Sequence, residues 1–363
     1  MRGRAAVRTA LAVVAGCLAA LVFTVGVFAG KTVADRRSDV PPVAALTAGV
    51  PRPGAAGAAT DRGADGASLM SAFDTAGVLL PDGANVFAAV VHRGEDAVRF
   101  EEYEAGGGAL ADAFWPASSI KVLAAVGALE FLADLGFTGS ARVAFDDDGE
   151  GDGETWTVRD LYEAAVAWSS NEAYDRLVQI AGVDWLNREF LNPENGFPES
   201  VIQKSYVDLG PVASPGFTVS DGQVSVTVPP REPSDDLGVP DDGNRSDLLE
   251  LAESVARIGL DAELPPGQRF SIDAADVADL QQSLLAADGF MRPGVLAALG
   301  PAVLIYDKPG YVVGADCVDV AYIDAGEKSR SFLLAVSVPD DGQDCSTLAD
   351  IAEAALRFLT TRP

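Results

Sequence analysis

Apolar residues follow three rhythms along this chain, and each predicts a different kind of structure. From Thr9 to Gly30 they are nearly continuous, a run long enough to cross a bilayer as a helix. From about 31 to 66 no rhythm survives. Ala, Gly, Pro and Thr dominate there, with Pro41-Pro42 and Pro51-Arg52-Pro53-Gly54, the composition of a flexible tether. Beyond it, alternation and helical spacing take turns. Leu69 to Leu80 reads as a short helix. Asn85 to His92 and Ala97 to Glu104 read as strands around Arg93-Gly94-Glu95-Asp96, an antiparallel hairpin.

The middle of the chain is helical in pattern. The apolar run from Val122 to Leu132, broken by little except Gly127, predicts a buried helix starting at Pro116 to Ser119. Thr157 to Ile180 holds helical patterns interrupted at Ser169-Ser170-Asn171. Residues 211 to 244 are rich in Pro, Gly, Asp and Ser, with an alternating segment from Gly222 to Val228, and read as an inserted hairpin and acidic loop. Ser246 to Ile258 and Asp273 to Ala287 are amphipathic helices. Three strands follow, Val303 to Lys308, Val318 to Asp324 and Ser331 to Val338, and a helix from Ser346 to Leu359 closes the chain. Strands early, helices between and strands late predict an α/β chain of the α+β type. One sheet is built from both ends, with helices on its faces and a mostly helical lobe inserted. The domain plan is a signal or anchor at 1–30, a linker at 31–66 and a folded domain at 67–363.

Charge and composition narrow the function. The formal net charge of −28 leaves no basic face for nucleic acid. The chain's one histidine, His92, sits at the hairpin end beside Arg93-Gly94 and reads as solvated surface. A Ser-His-Asp triad would have to use it, and one His with scattered Cys makes a poor zinc site. Arg2, Arg4 and Arg8 precede the N-terminal apolar run and would stay cytoplasmic. Three readings of that run stand: an uncleaved anchor, which fits its length best; a signal peptide cut near Val27-Phe28-Ala29; and a lipobox at Val14-Ala15-Gly16-Cys17. All three put the rest of the chain outside the cytoplasmic membrane. There, Cys317 and Cys345 are either bonded or two buried thiols. The acidic stretch Asp146 to Glu154 lacks a carboxylate at the twelfth position of a calcium loop, which is Thr157, and reads as solvated.

The candidate chemistry begins at Ser118-Ser119-Ile120-Lys121. Residues three apart on a helix share a face, so Ser118 and Lys121 would lie side by side at a helix N-terminus. A serine needs a base to become a nucleophile, and a desolvated lysine can be one. Taken alone, the stretch is better explained by an N-cap serine and a solvated lysine. Two later stretches shift that balance: Ser169-Ser170-Asn171, at the break in the helical pattern, and Lys308-Pro309-Gly310, on a late strand.

With these three elements in this order, the chain resembles the penicillin-recognising serine hydrolases, above all the class A β-lactamases and penicillin-binding proteins, which carry S-x-x-K, S-D-N and K-T-G. The T-V-x-x-L pattern of Thr157 to Leu161 and the run Leu177 to Gly182 are also family-like, and the resemblance spans roughly 66 to 361. It implies that Ser118 attacks a carbonyl and Lys121 takes or relays its proton. Ser169 passes a proton to the leaving group beside Lys308. Asn171 holds a substrate carbonyl, Gly310 lines the site, and the backbone N–H groups of Ser118 and Tyr311 form the oxyanion hole. Three departures are visible. Pro309 replaces the hydroxyl residue that binds a substrate carboxylate. Ser170 replaces Asp. The loop whose Glu activates the deacylating water is matched by Lys204 to Leu209, with Tyr206 near the Glu position and Asp208 nearby; Arg188-Glu189-Phe190-Leu191-Asn192 has the wrong spacing.

The expectation is an exported, monomeric serine hydrolase needing no metal or organic cofactor. It would be tethered to the membrane by its N-terminal segment and act on a small-molecule or peptidoglycan-related amide or ester. An active β-lactamase, or a non-catalytic cell-envelope binding protein that kept the fold, are the alternatives.

Overall fold

A sheet drawn from both ends of the domain organises the structure. This computed structural model describes residues 66–93, 98–106, 113–146, 155–234, 243–326, 331–339 and 345–362. The N-terminal apolar run, nearly all of the linker, residues 147–154 of the acidic stretch and residues 235–242 lie outside the described residues. Among the described residues no helix is long and apolar enough to cross a membrane.

The chain enters through α1 (Gly66–Ala76) and runs into β1 (Asn85–Arg93) and β2 (Val98–Gly106). It returns at the far end as β7 (Leu304–Tyr311), β8 (Asp316–Asp324) and β9 (Ser331–Pro339), then closes with α9 (Thr347–Thr360). The strand order is β2-β1-β9-β8-β7, and every pair is antiparallel. The first and last strands of the domain meet as Phe87 opposite Ala335 and Ala88 opposite Leu334. Alternate side chains leave a strand on opposite faces, so the sheet separates two cores. Phe87, Ala89, Val91, Val320 and Leu333 face the inserted lobe. Val86, Ala88, Val90, Ala321 and Leu334 join α1, α9 and the short helix α8 (Arg292–Leu299).

The lobe between is helical. Its axis is α2 (Lys121–Asp134), buried from Lys121 to Leu132, which explains why its pattern has no polar face. A Cβ on Gly127 would come within 2.4 Å of Leu186 Cδ2, so glycine lets the neighbouring segment pack close. Around α2 stand α3 (Val158–Val166), α4 (Asn171–Ala181), the single turn α5 (Val183–Trp185), α6 (Leu248–Gly259) and α7 (Ala274–Ala286). Thr157, Ser170, Asp247 and Asp273 cap α3, α4, α6 and α7, each accepting a backbone N–H.

The alternating segment near 222–228 does form a hairpin, β5 (Phe217–Ser220) and β6 (Ser225–Val228). It is not isolated. It extends a second sheet with β3 (Arg142–Phe145) and β4 (Thr155–Thr157), in the order β4-β3-β5-β6. Sequence reading missed β3, β4 and α8 because four, three and eight residues carry too little periodicity. Cys317 and Cys345 are bonded, with Cα atoms 5.6 Å apart. The bond ties β8 to the entry of α9, and chain-entropy arguments give such a loop about 3.5 kcal/mol.

Candidate active site

The site lies where the edge strand β7 meets the start of α2. Pro116 leads into a 3₁₀ turn, Ala117–Ile120, which runs directly into α2. Ala117 has φ +49°, a left-handed conformation that costs a non-glycine residue on the order of 1–3 kcal/mol. The next residue is Ser118, half-buried, whose hydroxyl has no hydrogen-bond partner among the described residues. A Cβ on Gly310 would lie 2.8 Å from Pro116 O and 2.9 Å from Ser118 N. Glycine is therefore required at that point for β7 to rest against the turn.

Lys121 is fully buried one turn along. Its amine does not settle on Ser118. It donates to the Ser169 carbonyl at 2.6 Å and to Asn171 Oδ1 at 2.6 Å, with Ser169 Oγ at 3.5 Å. Desolvation, reinforced by the nearby Lys308 charge, lowers its pKa to about 7. Lys308 reaches the same hydroxyl from the sheet, donating to Ser169 Oγ at 2.9 Å and to its neighbour's carbonyl, Pro309 O, at 3.3 Å. Burial lowers its pKa to about 8 against the pull of Asp319 and Asp307. Ser169 thus stands between two amines, and its own φ of +56° turns both its carbonyl and its hydroxyl toward them.

The break between α3 and α4 has a local cause. Ser170 Oγ accepts from Ala173 N at 3.2 Å and starts α4. This is the structural role left to the residue that stands in place of an aspartate. Asn171 follows, its amide oxygen on Lys121 and its Nδ2 donating to Tyr206 O at 3.3 Å. Pro309 sits within β7. As β7 is an edge strand, the missing N–H is tolerated there. Tyr311 follows Gly310 and is 44% exposed.

The loop expected to carry the deacylation base is built differently. Tyr206 is stacked on Tyr174 with ring centroids 4.5 Å apart, and its phenol donates to Ala117 O at 2.5 Å. Burial pushes that phenol up to about 12. Asp175 latches the loop, accepting from Ser205 Oγ at 2.5 Å, Tyr206 N at 2.8 Å and Val207 N at 3.3 Å. Asp208 is exposed, and it serves the loop through its own N–H, which donates to Ser205 Oγ at 2.9 Å. Glu189, in the mis-spaced stretch, is also exposed. His92 pairs with Glu101 at 3.1 Å on the hairpin.

Sequence reasoning missed a second layer. Asp307 and Asp319 are fully buried on the opposite face of β7 and β8 from Lys308. Arg292 donates to Asp307 Oδ1 at 3.0 Å and Met291 N to Asp319 Oδ2 at 2.8 Å. Asp307 Oδ2 and Asp319 Oδ1 have no partner among the described residues. Burial holds both carboxyls above the usual carboxylate range, and the Asp319 charge pushes Asp307 further up. The clue in the sequence was acids alternating with apolar residues in strands predicted to be buried.

No protein-family model matches this chain, and no curated protein does either. Solved structures do. A class A β-lactamase from Bacteroides cellulosilyticus aligns with a TM-score of 0.55 at 13% identity, covering 82% of this chain and 99% of that one. A point mutant of PBP-A, solved as an acyl-enzyme complex with penicillin G, aligns with a TM-score of 0.56 at 14% identity, covering 82% and 97%. A class A β-lactamase from Mycobacterium abscessus gives 0.53 at 16%, covering 82% and 98%. The chain has the fold shared by class A β-lactamases and PBP-A.

Proposed function

We infer that this chain is a serine hydrolase that takes an acyl group from an amide or ester onto Ser118. The observation that supports this most is the Lys121 amine. It is buried, titrates near neutrality and is hydrogen-bonded into a group that continues through Ser169 to Lys308. A lysine held this way has a neutral fraction at pH 7 that can accept the serine proton. Ser169, touched by both amines, can return it to the leaving group. The backbone N–H groups of Ser118 and Tyr311 would stabilise the oxyanion, one such donor being worth about 2.7–4 kcal/mol. The substrate class left open is a small molecule or a peptidoglycan fragment.

Release of the acyl group is slow on this reading. A buried phenol with pKa about 12 that donates to a backbone carbonyl is no base for water. This opposes rapid β-lactam turnover and favours a long-lived acyl-enzyme. It also supports the non-catalytic alternative, as does Pro309 in place of a hydroxyl residue. The domain would act outside the cytoplasmic membrane, held by the segment from Thr9 to Gly30. The Cys317–Cys345 bond fits an oxidising compartment. Intact-protein mass spectrometry after treatment with a fluorophosphonate and with penicillin G tests the reading. Stoichiometric adducts lost in Ser118→Ala are expected; no adduct with either probe would leave the non-catalytic reading standing.

A further inference from the structure

We propose that the site takes an uncharged ester bearing an apolar or aromatic group, gripped by a rim of Trp168, Val207, Leu209, Tyr311 and Val313, and discriminates against carboxylate-bearing substrates. This rests on Ser118 being the nucleophile.

The rim is visible in where exposed apolar side chains fall. Ten large hydrophobic residues are exposed among the described residues, and five of them lie within three positions of a site residue in sequence: Trp168, Val207, Leu209, Tyr311 and Val313, at 72%, 56%, 62%, 44% and 81%. Trp168 precedes Ser169. Val207 and Leu209 follow Tyr206, and Tyr311 and Val313 follow Gly310. Contacts already described bring these three segments to one place. Ser169 Oγ accepts from Lys308, Asn171 Nδ2 donates to Tyr206 O, the Tyr206 phenol donates to Ala117 O, and Gly310 rests on the Ser118 turn.

The rim is also held. Asp175 fixes the loop that carries Val207. At the tip between β7 and β8, Val312 N donates to Asp316 O at 3.0 Å and Ala315 N to Val312 O at 3.0 Å, while Gly314 takes φ +74°. That closed turn presents Val313 to solvent. Apolar surface fixed in water around a reactive centre gains free energy when a ligand covers it.

Charge points the same way. Residues 166–171, 206–212 and 309–316 contain no Lys or Arg, but they contain Asp208 and Asp316. Pro309 offers neither a hydroxyl nor an N–H beside Lys308, and the Lys308 amine is committed to Ser169 Oγ and Pro309 O. A substrate carboxylate would meet acids at the rim, on a chain of net charge −28, and would find few donors.

The reaction balances with water as co-reactant. Ser118 Oγ bonds to the ester carbonyl carbon and the bond to the alcohol oxygen breaks. The serine proton passes by way of Lys121 and Ser169 to the leaving oxygen. Water then takes the acyl group as a carboxylic acid and restores the serine hydroxyl.

The test uses the purified full-length protein and p-nitrophenyl esters from acetate to octanoate, together with an ester of the same length ending in a free carboxylate. First-turnover rates are compared as ratios within each variant, so the fraction of folded protein cancels. The octanoate rate should exceed the acetate rate by about tenfold or more, and the terminal carboxylate should lower the rate by about tenfold. In Trp168→Ser combined with Val313→Ser the octanoate-to-acetate ratio should fall several-fold. A ratio near one in the wild type, a faster carboxylated ester, or an unchanged ratio in the double variant overturns the proposal. Each of these leaves the role of Ser118 intact if a fluorophosphonate still labels it. If no label forms, the hydrolase reading itself fails, and this proposal with it.

Discussion

Two sides of the site, a few residues apart, are built on opposite principles. On one side Lys121, Ser169, Asn171 and Lys308 share hydrogen bonds, and burial drives both amines toward neutral pKa values, about 7 and about 8. On the other, the loop bearing Tyr206 is equally well ordered by hydrogen bonds. They run from backbone and hydroxyl groups to Asp175 and from the phenol to Ala117 O. Burial acts on both sides. It enlarges the neutral, proton-accepting fraction of a lysine at pH 7 by destabilising the charged form, and it shrinks that of a tyrosine by destabilising the phenolate. Under the proposed function, the same desolvation favours forming an acyl-enzyme and disfavours hydrolysing it.

The sharpest way to break this comparison is to remove the base on the first side. Lys121→Ala should slow labelling of Ser118 by a fluorophosphonate by about 10²–10⁴-fold, the range of positioned acid–base groups. Rates within threefold of wild type would show that Lys121 only packs. The opposite change should act on the other side. Tyr206→Glu places a carboxyl beside the same turn, and burial would raise its pKa toward useful values. Loss of the penicillin adduct, followed by mass spectrometry, should then accelerate about tenfold or more. An adduct that persists unchanged would mean the missing base is not what limits release.

How far the sequence showed this asymmetry depends on range. The three short motifs were legible because their residues sit at local signals: a Pro-led helix start, a break between helices capped by Ser170, and a late apolar strand. The sheet built from both ends followed from short, mostly apolar runs of strand length early and late in the chain, later found as β1, β2, β8 and β9. What could not be read is what depends on burial and on distant partners. Nothing local says that the Lys121 amine lies on the Ser169 carbonyl, 48 residues away, or that the Tyr206 phenol reaches Ala117, 89 residues back. The small sheet was missed because β3 and β4 acquire meaning only through β5, whose Val219 pairs with Val143. Asp307 and Asp319 were passed over because a lone acid in a strand pattern looks like a strand end. Their partnership is a matter of register, with Pro309 opposite Asp319.

The coupling between the two amines gives a smaller, more diagnostic effect. Lys308 is a like charge that depresses the Lys121 pKa. If neutral Lys121 is the base of the proposed acylation, its rate should rise with pH through about 7. If protonated Lys308 assists the leaving group, the rate should fall again above about 8, the two limbs belonging to the pair rather than to either residue alone. In Lys308→Met the repulsion is gone, so the lower limb should move to higher pH and the upper limb should vanish. A pH–rate profile for an uncharged phosphonate measures both. A lower limb that stays at its wild-type pH would show that the Lys308 charge does not act on Lys121.

Asp208 carries the smallest expected effect and the cleanest check on the Tyr206 side. It lies two residues past Tyr206 in a loop whose shape is set by Asp175 and Ser205, not by its own carboxylate. The residue is exposed. Its backbone N–H, which does serve the loop by donating to Ser205 Oγ at 2.9 Å, survives substitution. Asp208→Ala should therefore leave both adduct formation and adduct loss within about twofold and change stability by less than about 0.5 kcal/mol. A tenfold slower loss of the penicillin adduct in this variant, with labelling unchanged, would place the carboxylate in the site during turnover. The contrast between the two sides would then describe the resting enzyme and not the acylated one.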